Sequence, residues 1–371
     1  MIRRLILILL IVLVFLAAGL MTAIFIFRRP TPLEFQQATA EQPVTFPRDE
    51  AAHFRARTDW WYYTGFLNAQ DGQQYGFELV FFKSYVPPAV RIANLLPLNW
   101  ASNPIYFAHF ALSDQQTQEH TFFEQMSFPQ FWNAGARADR FEVWNGDWRA
   151  WGDGIQHHLR ADGGRYRLRL DLETLKAPVL HGPDGGGVID MGQAGTSYYY
   201  SRVDLEGTGL LYIDGQYQAV LATAWMDHQW GSWDLHQGFD GWDWFSLRLD
   251  DGSRAMLFNF RDELGGLQPQ STGTWITPEG AVQHLESDDY LVYVLDQWTS
   301  PQTGGTYPVA WQVIIPEQGF EATVEATFPE QELPIHLGPI YWEGTVTILV
   351  DGASSGKGFA ELTGYAPENG H

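Results

Sequence analysis

The run of residues 225–234 concentrates groups that could bind an apolar ligand and move a proton on it. Its ten residues include three tryptophans, two aspartates and one histidine. An amphipathic surface element has no need of this combination. Large aromatic side chains bury an apolar ligand, and a carboxyl or imidazole group can exchange a proton with it. The run therefore predicts a pocket for an apolar, unsaturated molecule.

Strand alternation would divide this run between two faces. In a strand through residues 226–230, His228 and Trp230 lie on one face and Asp227 on the other. Trp230 could then stabilise a carbocation through its ring, and His228 or a carboxyl group could handle the proton. Asp227 would orient a neighbour or bind the backbone. The alternative is structural: the tryptophans close a barrel and His228 is a hydrogen-bonded core histidine.

Asp59 is a second candidate acid, because it precedes two tryptophans at the start of an apolar strand. Burial among aromatic rings favours the neutral carboxyl group that a general acid requires. Asp59 could equally cap a turn or pair with Arg202. A buried arginine needs such a partner, and we expect Asp227 or Asp59 in that role. His109 is expected to be an interior histidine or a ligand-facing group.

Metal binding and serine hydrolysis have less support. Asp227, His228, Asp234 and His236 are potential ligands, but alternation scatters them over two faces and no histidine pair has helical zinc spacing. The sequence shows no strand–elbow–helix context for a nucleophilic serine. Because the chain has no cysteine, disulfides, thiolate metal sites and cysteine nucleophiles are excluded. We expect neither a metal nor a cofactor.

The N-terminal segment is predicted to be a membrane anchor. Residues 5–27 carry no charge and arginines flank them on both sides, and about 20 apolar residues span a bilayer. A cleaved signal peptide is the alternative for residues 1–29. We expect the body to lie on the extracytoplasmic side, or to be secreted after cleavage, and residues 30–50 to form a linker.

The charge of the body argues against two classes of partner. All 44 acidic residues follow position 30, whereas four of the 22 basic residues precede it. Such an acidic body is repelled by nucleic acid and by anionic lipid, so nucleic acid is not an expected partner. The expected partners are an apolar small molecule and, through the N-terminal helix, the membrane.

The patterning predicts an all-β fold. Residues 166–172 alternate strictly, as in a half-buried strand, and residues 60–67 and 75–85 form a predicted hairpin around the turn at 69–72. The order of aromatic strand, turn and apolar strand recurs at residues 242–260. We therefore predict two tandem β-barrel domains, residues 51–228 and 229–366. The glycine-rich run 183–195 is predicted to be a mobile loop, and helices are expected at most near residues 87–98 and 129–133.

Five motifs resemble the AttH/CrtC-type lipocalin-like family. They are Asp59–Gly65 (DWWYYTG), Tyr198–Arg202 (YYYSR), Ala224–Gly231 (AWMDHQWG), Tyr341–Gly344 (YWEG) and Gly358–Tyr365 (GFAELTGY). The resemblance covers about residues 53–365 and implies two tandem lipocalin-like antiparallel barrels. Family members include carotenoid hydratases, which add water to a terminal isoprenoid double bond without a redox cofactor. Other members are known only as predicted secreted hydrolases.

The resemblance also implies site residues. His228 and Trp230 match the histidine and tryptophan of the hydratases, and Asp262 could stand for their further aspartate. The tyrosine of the hydratases has no counterpart in residues 257–262, so the carotenoid reaction itself is not implied. The expected catalytic residues are His228, Trp230, Asp227, Asp59 and Asp262. The expected ligand-binding residues are Trp61, Tyr63, His109, Tyr200, Arg202, Trp225 and Trp244.

Two functions follow as expectations. The first is a membrane-anchored hydratase or isomerase-like enzyme acting on an apolar isoprenoid or lipid, and the second is a carrier built on the same barrels. Titratable groups that converge in a cavity would favour the enzyme, whereas a His228 and an Asp59 walled off from any cavity would favour the carrier. If His228 is catalytic, replacing it with alanine abolishes turnover and barely changes ligand affinity.

Overall fold

The protein is all-β in the part that the computed structural model describes, namely residues 16, 19, 34–85, 104–127, 133–233, 238–262, 264–336 and 339–367. Apart from helical backbone at Leu16 and Gly19, the helical elements in these ranges are 3-10 turns at Arg48–Glu50, Pro183–Gly185, Gly192–Ala194 and Pro316–Gln318. None of the helices in these ranges has the length and apolar character that a bilayer crossing requires. The predicted anchor and the suggested helices at 87–98 and 129–133 lie outside the described residues, except Leu16, Gly19 and Asn133.

The first sheet is antiparallel and barrel-like. Its strands are β1 (Thr58–Ala69), β2 (Gln74–Ser84), β3 (Ile105–Asp114), β4 (Glu119–Ser127), β5 (Ala134–Ala136), β6 (Glu142–Asn145), β7 (Trp148–Gly152), β8 (Gln156–Asp162), β9 (Tyr166–Thr174), β10 (Val179–Leu180), β11 (Val188–Asp190), β12 (Thr196–Ile213) and β13 (Gln216–Gly231). The order across the sheet is β4-β3-β2-β1-β13-β12-β9-β8-β7-β6-β5, and β10 and β11 also pair with β12.

The second sheet is also antiparallel and barrel-like. Its strands are β14 (Gly241–Leu249), β15 (Arg254–Arg261), β16 (Thr272–Ile276), β17 (Val282–Glu286), β18 (Leu291–Thr299), β19 (Thr306–Ile315), β20 (Phe320–Ala326), β21 (Glu332–Leu333), β22 (Tyr341–Val350) and β23 (Ala353–Thr363). The order is β17-β16-β15-β14-β23-β22-β20-β19-β18, and β21 pairs with β22. The first sheet ends at Gly231 and the second begins at Gly241, while the predicted domain limits at 228 and 229 fall within β13 and stay a prediction.

The hairpins that the sequence predicts are confirmed. β1 pairs with β2, and β14 pairs with β15 at the equivalent place in the second sheet. The alternation of residues 166–172 is confirmed as well, because apolar side chains of β9 are buried and the intervening ones face outward. Each sheet encloses its own apolar core. The tandem order in the sequence therefore reflects two sheets with a related hairpin.

A third apolar cluster joins the two sheets. It combines Phe66, Tyr199 and Trp225 of the first sheet with Trp244 and Phe258 of the second. Strands at this junction are covered on both faces: nine of the twelve residues of β1 are buried. Strands covered on both faces read as continuous apolar and aromatic runs, which explains the composition of the motif at 59–65.

The glycine-rich run 183–195 differs from its prediction. It contains β11 and two 3-10 turns, and Ile189 and Met191 are buried in the cluster between the sheets. The apolar residues spaced among the glycines explain the difference, because they pack against β12 and fix the segment. The prediction of a mobile loop was wrong for this segment.

Candidate functional site

A cavity of about 340 Å³ lies between the two sheets. Nine aromatic residues form most of its wall: Trp60, Tyr62, Phe82, Phe107, Tyr199, Trp242, Trp244, Phe258 and Tyr341. Titratable groups in the wall are Asp227, Glu361 and His109. Of the residues expected to bind ligand, His109 and Trp244 line this cavity. It is a mainly apolar chamber in which a few polar groups converge, the common form of a small-molecule site.

Asp227 is the best-defined acid of the cavity. It is 3% exposed, and its Oδ1 accepts hydrogen bonds from Tyr199 (2.9 Å), Trp225 Nε1 (3.0 Å) and Ser201. Its Oδ2 has no hydrogen-bond partner. Burial raises the pKa of Asp227 to about 7, even though the three donors favour the carboxylate. Because donors occupy Oδ1, the proton of the neutral form belongs on Oδ2.

The second sheet positions Asp227 through two chains of hydrogen bonds. Trp244 Nε1 donates to Tyr199 at 2.9 Å. His181 lies between the sheets, with Nδ1 2.8 Å from Thr274 Oγ1 and Nε2 2.6 Å from Ser201 Oγ. Burial lowers the pKa of His181 to about 3, so the ring is neutral. Since Ser201 donates to Asp227, the ring accepts from Thr274 and donates to Ser201.

A second set of polar groups lies around His109 and Tyr341. The hydroxyl of Tyr341 is 2.9 Å from His109 Nδ1 and 3.0 Å from Glu78 Oε1. Burial lowers the pKa of His109 to about 3 and raises that of Glu78 to about 8. Both groups are therefore neutral at pH 7. The hydroxyl of Tyr341 can pass a proton between them, because it can donate to either one while accepting from the other.

Two further carboxyl groups belong to this region. Tyr62, in the cavity wall, donates to Glu343 Oε2, and burial together with Glu78 and Glu361 raises the pKa of Glu343 far above its ordinary value. Burial raises the pKa of Glu361 to about 7. The site therefore holds several carboxyl groups that burial keeps protonated near neutral pH.

His228 lies on the opposite face of β13, as alternation predicts. It is fully buried, and its Nε2 is 2.8 Å from Asp59 Oδ1 while its Nδ1 is 3.3 Å from the hydroxyl of Tyr200. Burial lowers the pKa of His228 more than Asp59 raises it. Neither His228 nor Asp59 lines the cavity between the sheets or the second cavity described below.

The expectation that Asp59 is a neutral acid was wrong. Burial would raise its pKa, but the charge of Lys83 and hydrogen bonds from His228 and His53 outweigh burial and lower it. Lys83 Nζ lies 3.6 Å from Asp59 Oδ2, and both side chains are fully buried. The buried ion pair explains the difference: Lys83 is the cross-strand partner of Asp59 in the β1–β2 hairpin, and its contact was not foreseen.

Trp230 borders a second cavity of about 640 Å³, formed largely by the chain segment before β1. The ring of His53 stacks on Trp230 with centroids 3.9 Å apart. His53, Asp59 and His228 together could offer three ligand atoms to a metal ion. However, Lys83 already supplies a positive charge to Asp59, and a divalent ion beside it would be repelled. These residues do not favour a metal.

The other expected residues lie elsewhere. Arg202 pairs with Glu50 rather than with Asp227 or Asp59. Trp61, Tyr63 and Tyr200 pack inside the first sheet, and Trp225 lies in the cluster between the sheets. Asp262 accepts hydrogen bonds from Leu264 and Gly266 within a turn. None of these six lines the cavity between the sheets.

Four residues of the site were not foreseen from the sequence: Glu78, Glu343, Glu361 and Tyr341. All four lie in motifs quoted above or in the predicted hairpin, so a signal was present. A glutamate inside an otherwise apolar strand, as in Phe77–Phe82 and Gly358–Leu362, is costly unless it serves a site. Strand parity alone could not show that these glutamates meet, because Glu78 comes from the first sheet whereas Glu343 and Glu361 come from the second.

Comparisons with known proteins agree on the family. The AttH-like family model matches residues 37–365. The crystal structure of a Nitrosomonas europaea protein assigned as an AttH is 29% identical, with a TM-score of 0.80 over 90% of this chain and 100% of that chain. Kievitone hydratase from Nectria haematococca has a TM-score of 0.68 at 14% identity over 90% of this chain and 97% of its own, a similarity of fold. No curated protein matches the sequence. On the family match over nearly the whole body, the chain belongs to the AttH-like family.

Proposed function

We propose that the cavity between the sheets binds an apolar, unsaturated small molecule of isoprenoid or lipid type, and that the protein is a hydratase that needs no cofactor. The observation that carries the proposal is the state of Asp227. Its Oδ1 is occupied by three donors, its Oδ2 is unpartnered, and its pKa is about 7 within an aromatic chamber. A general acid works best when its pKa lies near the working pH.

The reaction would proceed by protonation followed by addition of water. Asp227 Oδ2 gives its proton to one carbon of the double bond, and the positive charge forms on the other carbon. The surrounding ring faces stabilise that charge. Water then adds to the cation and loses one proton, which His109 accepts as a neutral base and returns to the Asp227 carboxylate before the next turnover. The balance is one water added per double bond.

The structural neighbours support the kind of reaction proposed but not the substrate. Kievitone hydratase is named for adding water, and it shares the two-sheet fold. Its identity to this chain is 14%, so its substrate is not transferred. We also propose that residues 5–27 anchor the protein in a membrane with the body on the extracytoplasmic side; the uncharged segment flanked by arginines supports this.

A carrier without chemistry is the second candidate. It is favoured by the position of His228 and Asp59, which line neither cavity. The same aromatic walls would hold an apolar cargo equally well. The two functions differ in what Asp227 does to the bound molecule.

Native mass spectrometry of the purified body, followed by identification of a co-purifying molecule, supplies the ligand for the test. Wild type is then incubated with that ligand in heavy water beside Asp227→Asn and the exposed control Glu206→Gln. We expect wild type and the control to add one water and carbon-bound deuterium, while Asp227→Asn binds the ligand and leaves it unchanged. Binding without conversion by wild type would establish the carrier.

A further inference from the structure

The carboxyl groups around the cavity lack the counter-ions that other buried carboxyl groups of this protein have. Elsewhere in the described residues, the buried acids Asp49, Glu50, Asp59, Glu142, Asp204 and Asp243 each pair with a lysine or an arginine. The described residues show no such pair for Asp227, Glu78 or Glu343, which are equally buried. Buried carboxyl groups without a lysine or arginine partner are therefore a property of the region around the cavity between the sheets.

The same three residues have unsatisfied oxygen atoms. Asp227 Oδ2, Glu78 Oε2 and Glu343 Oε1 are buried without a hydrogen-bond partner, and they are the carboxyl oxygens of which this is true in the part of the chain that the structure describes. Leaving a buried polar atom unpaired costs about 1–3 kcal/mol. Such an atom calls for an explanation, and Asp227 lines the cavity, where a ligand could supply the missing partner.

The aromatic wall of the cavity also favours a positively charged ligand. The faces of tryptophan, tyrosine and phenylalanine rings attract positive charge, and nine such residues line the cavity. No lysine or arginine is among the lining residues of this cavity in the described structure. Rings and carboxyl groups therefore both complement a cation carried on an apolar body.

We infer that the cavity between the sheets binds lipophilic organic cations, such as amines or quaternary ammonium ions with an apolar body. The inference rests on the cavity of the proposed function, and a developing carbocation carries the same charge in the same place. Anionic molecules such as fatty acids are disfavoured there, because no cation faces them.

Binding of a cation would favour the ionised form of the carboxyl groups and so release their protons. Burial raises the pKa of Asp227 and Glu361 to about 7 and that of Glu78 to about 8. Asp227, Glu361, His109, Tyr62, Tyr199 and Tyr341 line the cavity, and Glu78 and Glu343 lie behind its wall, where they accept hydrogen bonds from Tyr341 and Tyr62. Raising the pH from 6 to 8.5 ionises carboxyl groups in this set, so the affinity for a permanent cation should rise.

The test compares two probes of equal shape, phenyltrimethylammonium and the neutral tert-butylbenzene. Binding to the wild-type protein is measured at pH 6 and pH 8.5 by tryptophan fluorescence, and by calorimetry in two buffers of different ionisation enthalpy. We expect the ammonium ion to bind about tenfold more tightly at pH 8.5 than at pH 6 and to release protons when it binds at pH 6, while the affinity for the neutral probe changes little. Equal affinity for both probes at both pH values, or no proton release, would overturn the inference.

Variants refine the result. Asp227→Asn combined with Glu361→Gln should remove most of the gain in cation affinity at pH 8.5, whereas Glu206→Gln should retain it. Proton release by wild type needs no variant, so the test stands even if the double variant fails to fold. A cation preference without turnover would contradict the hydratase alone, and turnover without a cation preference would contradict this inference alone.

Discussion

Asp227 and His228 are consecutive residues whose side chains lie on opposite faces of β13. Asp227 lines the cavity between the sheets, whereas His228 hydrogen-bonds Asp59 inside the first sheet at 2.8 Å. One short motif therefore contributes to two separate environments. Its aspartate belongs to the site, and its histidine belongs to a closed buried network that includes Lys83.

Replacing His228 with alanine should therefore lower stability rather than activity. The change removes a buried hydrogen bond to an ionised carboxyl group and leaves a void, which together cost roughly 2–4 kcal/mol of unfolding free energy. Urea unfolding measures this loss, and ligand affinity and turnover of the folded variant should stay within about twofold of wild type. Loss of turnover in folded His228→Ala would restore His228 as the catalytic group.

The pH dependence of stability should reveal the protonated state of Asp227. Its pKa is about 7 in the folded protein against 3.8 for the ordinary group. A raised pKa means that its contribution to stability is complete below about pH 4 and is lost as the pH rises through 7. Asp227→Asn removes this loss, so the unfolding free energy of the variant should rise by up to about 4 kcal/mol relative to that of wild type between pH 4 and 8.

Chemical denaturation at pH 4, 5, 6, 7 and 8 checks this prediction. Glu78 is present in both proteins, so its effect cancels in the difference, whereas the charge of Asp227 also raises the pKa of Glu361, and its removal acts in the same direction as the expected gain. For Glu206→Gln, an exposed change on β12, the difference in unfolding free energy from wild type should not change with pH over the same range. A flat difference for Asp227→Asn as well would mean that Asp227 is ionised throughout.

Thr274 of the second sheet should control the proton affinity of Asp227 in the first. Thr274→Val removes the hydroxyl 2.8 Å from His181 Nδ1, so the ring no longer holds Ser201 in its donating orientation. The Asp227 carboxylate then loses a donor, and its pKa should rise above 7. Infrared spectroscopy of the protonated carboxyl band against pH, with Asp227→Asn to assign the band, measures the shift.

Thr274→Ser is the matched control because it keeps the hydroxyl. It should leave the pH midpoint of the Asp227 band where wild type has it. If Thr274→Val also leaves the midpoint unchanged, His181 and Ser201 do not transmit the influence of the second sheet.

The sequence could predict the strands and the parity of the motif but not the meeting of the two sheets. Alternation placed His228 and Trp230 together, and the aromatic hairpins marked the strands at the junction. Asp59 and Lys83 face each other across the predicted hairpin, so its register could have indicated their ion pair. The contact of Arg202 with Glu50, by contrast, joins residues far apart along the chain. Local pattern carries no information about such pairs. The site itself draws Asp227 from β13 and Glu361 from β23, so it exists only once both sheets have packed.

The approach of the two sheets depends on Gly76 in β2. A Cβ at this position would overlap with the Cγ2 methyl of Thr345 in β22. Thr345 cannot turn away freely, because its Oγ1 lies 3.1 Å from both Gln331 Oε1 and Gln115 Nε2. Gly76→Ala should therefore destabilise the protein by about 1–3 kcal/mol through overpacking.

The rescue of this variant provides the decisive measurement. Thr345→Ser removes the methyl group that a new Cβ would meet and keeps the hydroxyl in its hydrogen bonds. In the double variant Gly76→Ala/Thr345→Ser the added methyl replaces the lost one, so most of the stability should return, with a coupling of about 1 kcal/mol or more in a double-mutant cycle. Additive effects would instead show that the sheets relax apart at Gly76, and ligand affinity should then fall because the cavity walls come from both sheets.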